Sequence, residues 1–439
     1  MAMSARSSLA RVVQRLPFGI GTVTMVLIAA MIAAIGIVLA TGTPEGTSTE
    51  HANGQLRGYA DEPDVAWTQS SDTLPGYRAD AGVDVVDTWQ DRWLLSYPSG
   101  LGRAFLLVNE ESGTPLWDKP VVAGLGGCGL DDEGQVGCAI KVGGVPDGFY
   151  LIDGEGTPSS ASDLDDTKQV VGVGSDFLRI DQAGYRVTLR NPMGREVWSR
   201  TFATAATASA RDDGVLTVST ADGTRFVLDP ATGADLLSCS QCTIASYPTG
   251  ITVQYNEFGK ERVATHAVDD GVPGTSPVSV SAGLRVLDGA SVLPVLTGTG
   301  DSQVQVTQGR YEIRDPARQG ALWQITDPEL SKSNTKPCGD MVALALKDRS
   351  RIFYTLADGT RVGAMGPPAL DAPDSNIDQL QCVGSSESTL VFADTNQITG
   401  IDAAAGRIAW TRSVIGSTEA VDGYIVVHEG TSITVLRPN

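Results

Sequence analysis

Four tryptophans at near-regular spacing constrain this chain more than any other feature. Trp117 ends NEESGTPLW, Trp198 ends RNPMGREVW, Trp323 ends RDPARQGALW and Trp410 ends IDAAAGRIAW. In each, a Gly stands three or four residues earlier, in a short polar turn that follows an apolar strand-like run. The intervals between them are 81, 125 and 87 residues, close to two, three and two times a unit of about 42. Degenerate copies fill the gaps. FVLDPATGADLL (226–237) keeps the turn and replaces Trp with Leu237, and YLIDGEGTPSS (150–160) and FYTLADGTRVGA (353–364) are looser. Such a period belongs to propellers, with one four-stranded blade per repeat.

The remaining signals agree. Runs such as RWLLSY (92–97), AFLLV (104–108), GVLTVS (214–219) and GYIVVH (423–428) are strand-length and rich in β-branched and aromatic residues. The 50 glycines fit many tight turns better than long helices. From Trp117 to Trp410 there are about seven units, hence eight outer strands. Past Ser417 two more strand-like runs are available to pair with an early strand near Trp67 and close a ring. The expected fold is all-β: a propeller of about eight four-stranded blades, preceded by one N-terminal transmembrane helix.

The pattern of apolar strand followed by D-x-x-x-G-x-x-x-W resembles the pyrroloquinoline-quinone-like propeller repeat, also called the tryptophan-docking repeat. Trp410 with Asp402 and Gly406 is the fullest copy, while Trp117 and Trp198 keep Gly and Trp with Glu or Asn near the Asp position. The resemblance covers most of 70–439. It implies that Gly permits the positive φ of the turn before the outer strand and that Trp packs on the neighbouring blade. It also raises quinone-dependent alcohol and sugar dehydrogenases, which use this scaffold with calcium and a bound quinone. Several of those carry a disulfide between adjacent cysteines. This chain has no Cys-Cys dipeptide, and its repeats are short, without large insertions to build a substrate pocket.

The N-terminus reads differently. Leu16 to Pro44 contains no charged residue, and the apolar core runs from Phe18 to Gly42, long enough to span a bilayer. Arg6, Arg11 and Arg15 precede it and only acids follow as far as Glu50, which predicts a cytoplasmic N-terminus and everything past Gly42 outside. A cleaved signal peptide would have a shorter apolar region, so an uncleaved anchor is preferred. The expected domains are a cytoplasmic stretch (1–17), a transmembrane helix (18–42), a flexible tether (43–60) and an extracytoplasmic propeller (61–439). The formal net charge is -20, and since Met1 to Pro44 carries +3 the rest carries -23. So acidic a surface repels nucleic acid and anionic lipid headgroups.

Six cysteines in an oxidising compartment suggest three disulfides. Cys128 and Cys138 flank a hairpin turn, Cys239 and Cys242 form CSQC, and Cys338 and Cys382 stand one repeat apart. CSQC follows a blade turn and opens no helix, so its structural reading is preferred over a redox one. His51, His266 and His428 are isolated, with no metal-ligand spacing, and no hydrolase elbow, phosphate loop or dinucleotide fingerprint appears. Asp131, Asp132 and Glu133, then Asp163, Asp165 and Asp166, then Asp371, Asp374 and Asp378 are acid clusters open to calcium, read here as solvated turns. No catalytic, cofactor-binding or metal residue is expected. The expected function is a non-enzymatic binding or scaffolding module of the cell envelope, whose partner is an envelope protein or cell-wall polymer. A quinone-dependent dehydrogenase is the alternative.

Overall fold

A computed structural model of the chain describes residues 53–77, 82–142, 145–159, 166–210, 214–269, 271–299, 309–331, 333–368 and 376–439. The expected cytoplasmic stretch and membrane helix lie outside them, as does His51. Among the described residues no helix is long and apolar enough to cross a membrane.

The described residues form a β-propeller of nine antiparallel sheets. Blade 1 spans 84–124, blade 2 128–152, blade 3 167–201, blade 4 206–240, blade 5 243–282, blade 6 284–327, blade 7 336–365 and blade 8 381–413. Within each, successive strands pair with their neighbours in chain order, from the innermost strand outward. Blade 2 has three named strands, and blade 5 carries a fifth, Ser279–Ala282, which departs from chain order by pairing with Lys260–Asp269. The ninth, closing blade joins the two ends of the domain. Its inner three strands are Ser417–Val421, Tyr424–Glu429 and Ser432–Arg437, and its outer strand is Asp64–Ser70. Trp67 lies opposite Val435, beyond a bulge, and Thr68 opposite Thr434.

The count is therefore nine rather than the expected eight. The segment past Ser417 holds three strands where the pattern suggested two, and three strands plus the early one make a whole blade. The pairing near Trp67 is where the sequence placed it.

Each blade packs on both faces, so its central strands are buried on both sides, as in parallel sheets. In blade 1, Arg92–Ser99 and Gly102–Asn109 bury Trp93, Leu94, Leu95, Leu106 and Leu107 in succession. The apolar clusters lie between blades. Trp93 of blade 1 meets Trp67 (5.9 Å between ring centres) and Tyr424 (5.7 Å), edge to face, across the closing seam. Burying large aromatic faces there favours a closed ring over an open stack of sheets.

Three disulfides add covalent ties. Cys128 and Cys138 pair directly across the inner two strands of blade 2. Cys338 and Cys382 link the innermost strands of blades 7 and 8, and Cys239–Cys242 closes the crossover from blade 4 to blade 5.

Two faces follow from this topology. First-to-second and third-to-fourth hairpins lie on one face; second-to-third hairpins and the crossovers between blades lie on the other.

Candidate functional site

The repeat tryptophans act between blades. Trp67, Trp198 and Trp323 each reach the turn before the outer strand of the next blade. Their indole Nε1 groups donate to carbonyls there: Glu110 (2.6 Å), Pro230 (2.8 Å) and Leu356 (2.8 Å). Each ring lies on the glycine of that turn. A Cβ at Gly113, Gly233 or Gly359 would come within 3.0 Å of it, and all three glycines have positive φ. Trp117, which stands just before the outer strand of blade 1, covers Gly156 in the same way. The turn thus serves the tryptophan of the preceding blade. That is why blades 4 and 7 keep the glycine after losing their own Trp.

Trp410 departs from this scheme for a topological reason. Its next blade is the closing one, whose third and fourth strands are the two ends of the domain and share no turn. The missing carbonyl comes from Tyr59, which accepts from Trp410 Nε1 at 3.0 Å. Trp89, which the repeat pattern does not single out, docks on Gly134 and donates to the Asp132 carbonyl at 2.9 Å. Its only signal is that Trp89 and Asp132 are one repeat apart.

Residues 53–60, expected as the end of the tether, form a bound strap. Asn53 donates its amide to the Ser246 carbonyl of blade 5 (2.8 Å), and Gln55 bridges Ser385 of blade 8. Leu56 N–H donates to Ser385 O at 2.7 Å, and Ser385 N–H to Gly54 O at 2.8 Å. Tyr59 is fully buried, donates its hydroxyl to Leu436 O (2.6 Å) and accepts from Ile425 N–H (3.0 Å). Ser246, Ser385 and Ile425 stand beside first-to-second hairpins and Leu436 at the end of the third strand on the same side, so the strap lies across the inner strands on that face.

Arg57 pins the strap to the seam. It pairs with Glu110 of blade 1 (3.2 Å) and Asp422 of the closing blade (3.6 Å), and lies 3.8 Å from the Tyr424 ring centre. Burial, then the hydrogen bond shared with Asp422, pushes the Glu110 carboxyl up to about 7, against the pull of Arg57. Its folded value stands above the ordinary one of 4.5. The stability it contributes is therefore complete below about 4.5 and is lost as pH rises through about 7. His428, raised by its bond to Glu419 (2.8 Å), acts in the same direction. His266, lowered by burial, acts the other way, so the comparison between two proteins isolates Glu110: relative to the parent, Glu110→Gln is expected to lose stability less steeply from pH 5 to pH 8 and to melt above it at pH 8. Equal slopes for the two proteins would contradict this.

The innermost strands present one edge to the centre of the ring, and side chains from neighbouring blades satisfy it. The Asp87 carboxylate accepts from Leu130 N–H (2.7 Å), Gln254 from Val286 N–H (2.9 Å), and Gln169 donates to Ala208 O (2.9 Å). Ser385 Oγ accepts from Asp340 N–H (3.0 Å) and donates to the Asp340 carboxylate (2.6 Å). Between the inner strands of blades 1 to 4 lies a cavity of about 360 Å³, lined by Val86, Asp87, Arg103, Lys168, Gln169 and Ser209 among others. Arg103 is held there by Asp84 at 2.6 Å. The lining offers charges of both signs, from Asp87, Arg103 and Lys168, beside the Ser209 hydroxyl.

The other sequence candidates do not converge on one site. Asp131 caps its own hairpin, accepting from Glu133 and Gln135 N–H (3.0 and 2.7 Å). His266 is buried with Nδ1 2.8 Å from Gly274 O, and its pKa is lowered by burial. Asp378 forms an ion pair with buried Arg351 between blades 7 and 8. Asp163, Asp165, Asp371 and Asp374 lie outside the described residues. Among the described residues no group of three His, Cys, Asp or Glu could hold a metal.

No family model matches the sequence, and no curated protein does. Among solved structures the chain is similar to BamB from Moraxella catarrhalis, at 13% identity over 86% of this chain and 98% of that one, with a TM-score of 0.39. It is similar also to the computationally designed Ika8 protein (13% identity, 83% and 98% covered, TM-score 0.39) and to a chain of the Mitotic Checkpoint Complex (12%, 69% and 99%, TM-score 0.35).

Proposed function

We propose that this chain is a membrane-anchored, extracytoplasmic binding or scaffolding module of the cell envelope and not an enzyme. The observation that carries the reading is a ring tied at its seam and strapped across one face, so that loops on the other face are the free recognition surface. The rigidity of docked blades fits holding a partner better than turning over a substrate. The apolar run at 18–42 supplies the anchor, and the likeness to tryptophan-docking repeats suits an envelope propeller. A net charge of -20 disfavours nucleic acid and leaves an envelope protein or a cell-wall polymer as partner. The chain should stay in alkali-washed membranes with an intact mass that retains residues 18–42. A soluble product beginning after Ala40 would sink the anchor. Dye reduction by the purified chain with a quinone, calcium and an alcohol or sugar would sink the non-enzymatic part.

A further inference from the structure

Fourteen large apolar side chains are exposed among the described residues, and six of them sit in the loops of one face. Leu101, Leu125, Val142, Tyr185, Phe258 and Ile415 are all exposed, and all lie in second-to-third hairpins or in crossovers between blades. They therefore share the face opposite the strap. The third-to-fourth connections of the strap face carry Leu116, Met193 and Val272, of which Met193 alone is more than half exposed.

Two of these residues stand at the tips of the longest hairpins. Leu101 caps the hairpin of Arg92–Ser99 and Gly102–Asn109 in blade 1 and is 75% exposed. Phe258 caps that of Gly250–Glu257 and Lys260–Asp269 in blade 5 and is 97% exposed. Strands of eight residues or more carry these tips outward, and blades 1 and 5 stand nearly opposite one another around a ring of nine.

The backbone makes Phe258 a costly choice. Glu257 pairs with Lys260, so Phe258 and Gly259 alone form the turn, at φ +51° and +79°. Positive φ at both positions is met by Asn, Asp or Gly, and a bulky residue there is an outlier. Phe258 is thus disfavoured by its backbone and by its exposure to water. Val142 repeats the coincidence at φ +56° and 59% exposure on the same face. Of the non-glycine residues with positive φ among the described residues, Val142 and Phe258 are the two aliphatic or aromatic ones. An outlier backbone that also exposes a large apolar side chain to water is the observation from which a role outside the fold is inferred.

Near blade 1 the patch is continuous. A Cβ on Gly102 would touch Gly124 O, and one on Gly124 would touch Lys141 O, so glycines let the loops bearing Leu101, Leu125 and Val142 lie side by side.

Building on the binding-module reading, we infer that this face docks a second, different protein, with Phe258 and Leu101 as paired apolar anchors on either side of the ring. Charge selects the occupant. A chain of net charge -20 is repelled by anionic bilayers and by its own copies, so the partner presents apolar pockets within a neutral to basic surface.

The test places a photo-crosslinking phenylalanine analogue at position 258, 101 or 193 of the full-length chain in the cells that make it. A discrete adduct with one other protein at 258 and 101, absent at 193, is expected. Phe258→Gly should lower the adduct yield at 101 on the order of tenfold while the melting temperature stays the same or rises. An adduct of twice the chain's own mass, or adducts with lipid alone, would overturn the inference. An adduct at 193 alone would overturn it and leave the binding-module reading standing. No adduct at any of the three positions overturns both. A melting temperature that drops in Phe258→Gly would show that Phe258 serves the fold, which also overturns it.

Discussion

Trp410→Ala lowers the stability of the propeller by about 3–5 kcal/mol, the usual cost of removing a large buried aromatic. Trp410 is buried and belongs to the apolar cluster that includes Tyr59, Ile425 and Leu436, on both sides of the seam between blade 8 and the closing blade. Its ring covers Gly400, where a Cβ would come within 2.2 Å of it. The loss includes the bond to Tyr59 O, so Trp410→Phe, which keeps most of the area, should recover all but about 1 kcal/mol of it. A typical domain has a margin of about 5–15 kcal/mol. The alanine variant therefore melts well below the parent, and the strap, which loses one of its several ties, becomes more accessible to protease near residues 53–60. Unchanged melting would mean that the seam does not rest on this contact.

The second large effect lies in blade 7. Arg351 is 3% exposed, pairs with Asp378 and donates to the Asn334 carbonyl. Burial lowers its pKa, and Asp378 opposes that shift. Removing one partner of a buried pair strands the other charge, so Asp378→Ala should cost about 3–5 kcal/mol. Replacing both by apolar residues of similar size, as in Arg351→Met with Asp378→Leu, removes the desolvation cost together with the attraction and should fall near the parent. Denaturant midpoints of the three variants decide this. A double variant as weak as Asp378→Ala would show that the pair organises blade 7 beyond its own charges.

Much of the fold was legible because propeller repeats write themselves locally. A strand, a glycine turn and a tryptophan fall within about ten residues, and the period recurs. The turn at 353–364 is legible although its blade has no Trp, because Gly359 receives Trp323 from the blade before. The ninth blade was harder to count because it is made from both ends of the domain, and its outer strand is more than 350 residues from its partner. The strap was not legible at all. NGQLRGYA has no apolar period, and its partners Ser246, Ser385 and Asp422 are hundreds of residues away. Asp378 reads as one acid among several in sequence, and only the packing of blades 7 and 8 turns it into the partner of a buried arginine. The six exposed apolar residues of the far face are not legible in the sequence for a similar reason. Each is a single residue in its own loop, and they share a face only once the blades close.

The proposed extracytoplasmic propeller can be placed directly by thiol labelling. All six cysteines are in disulfides, so a new thiol is a unique label. Met193→Cys places one at an exposed hairpin tip of blade 3 in the full-length chain. Intact cells are treated with a membrane-impermeant maleimide and the labelled fraction is compared with that after lysis. The account predicts equal labelling in the two samples. Labelling that appears only after lysis would place the propeller inside the cell and contradict it.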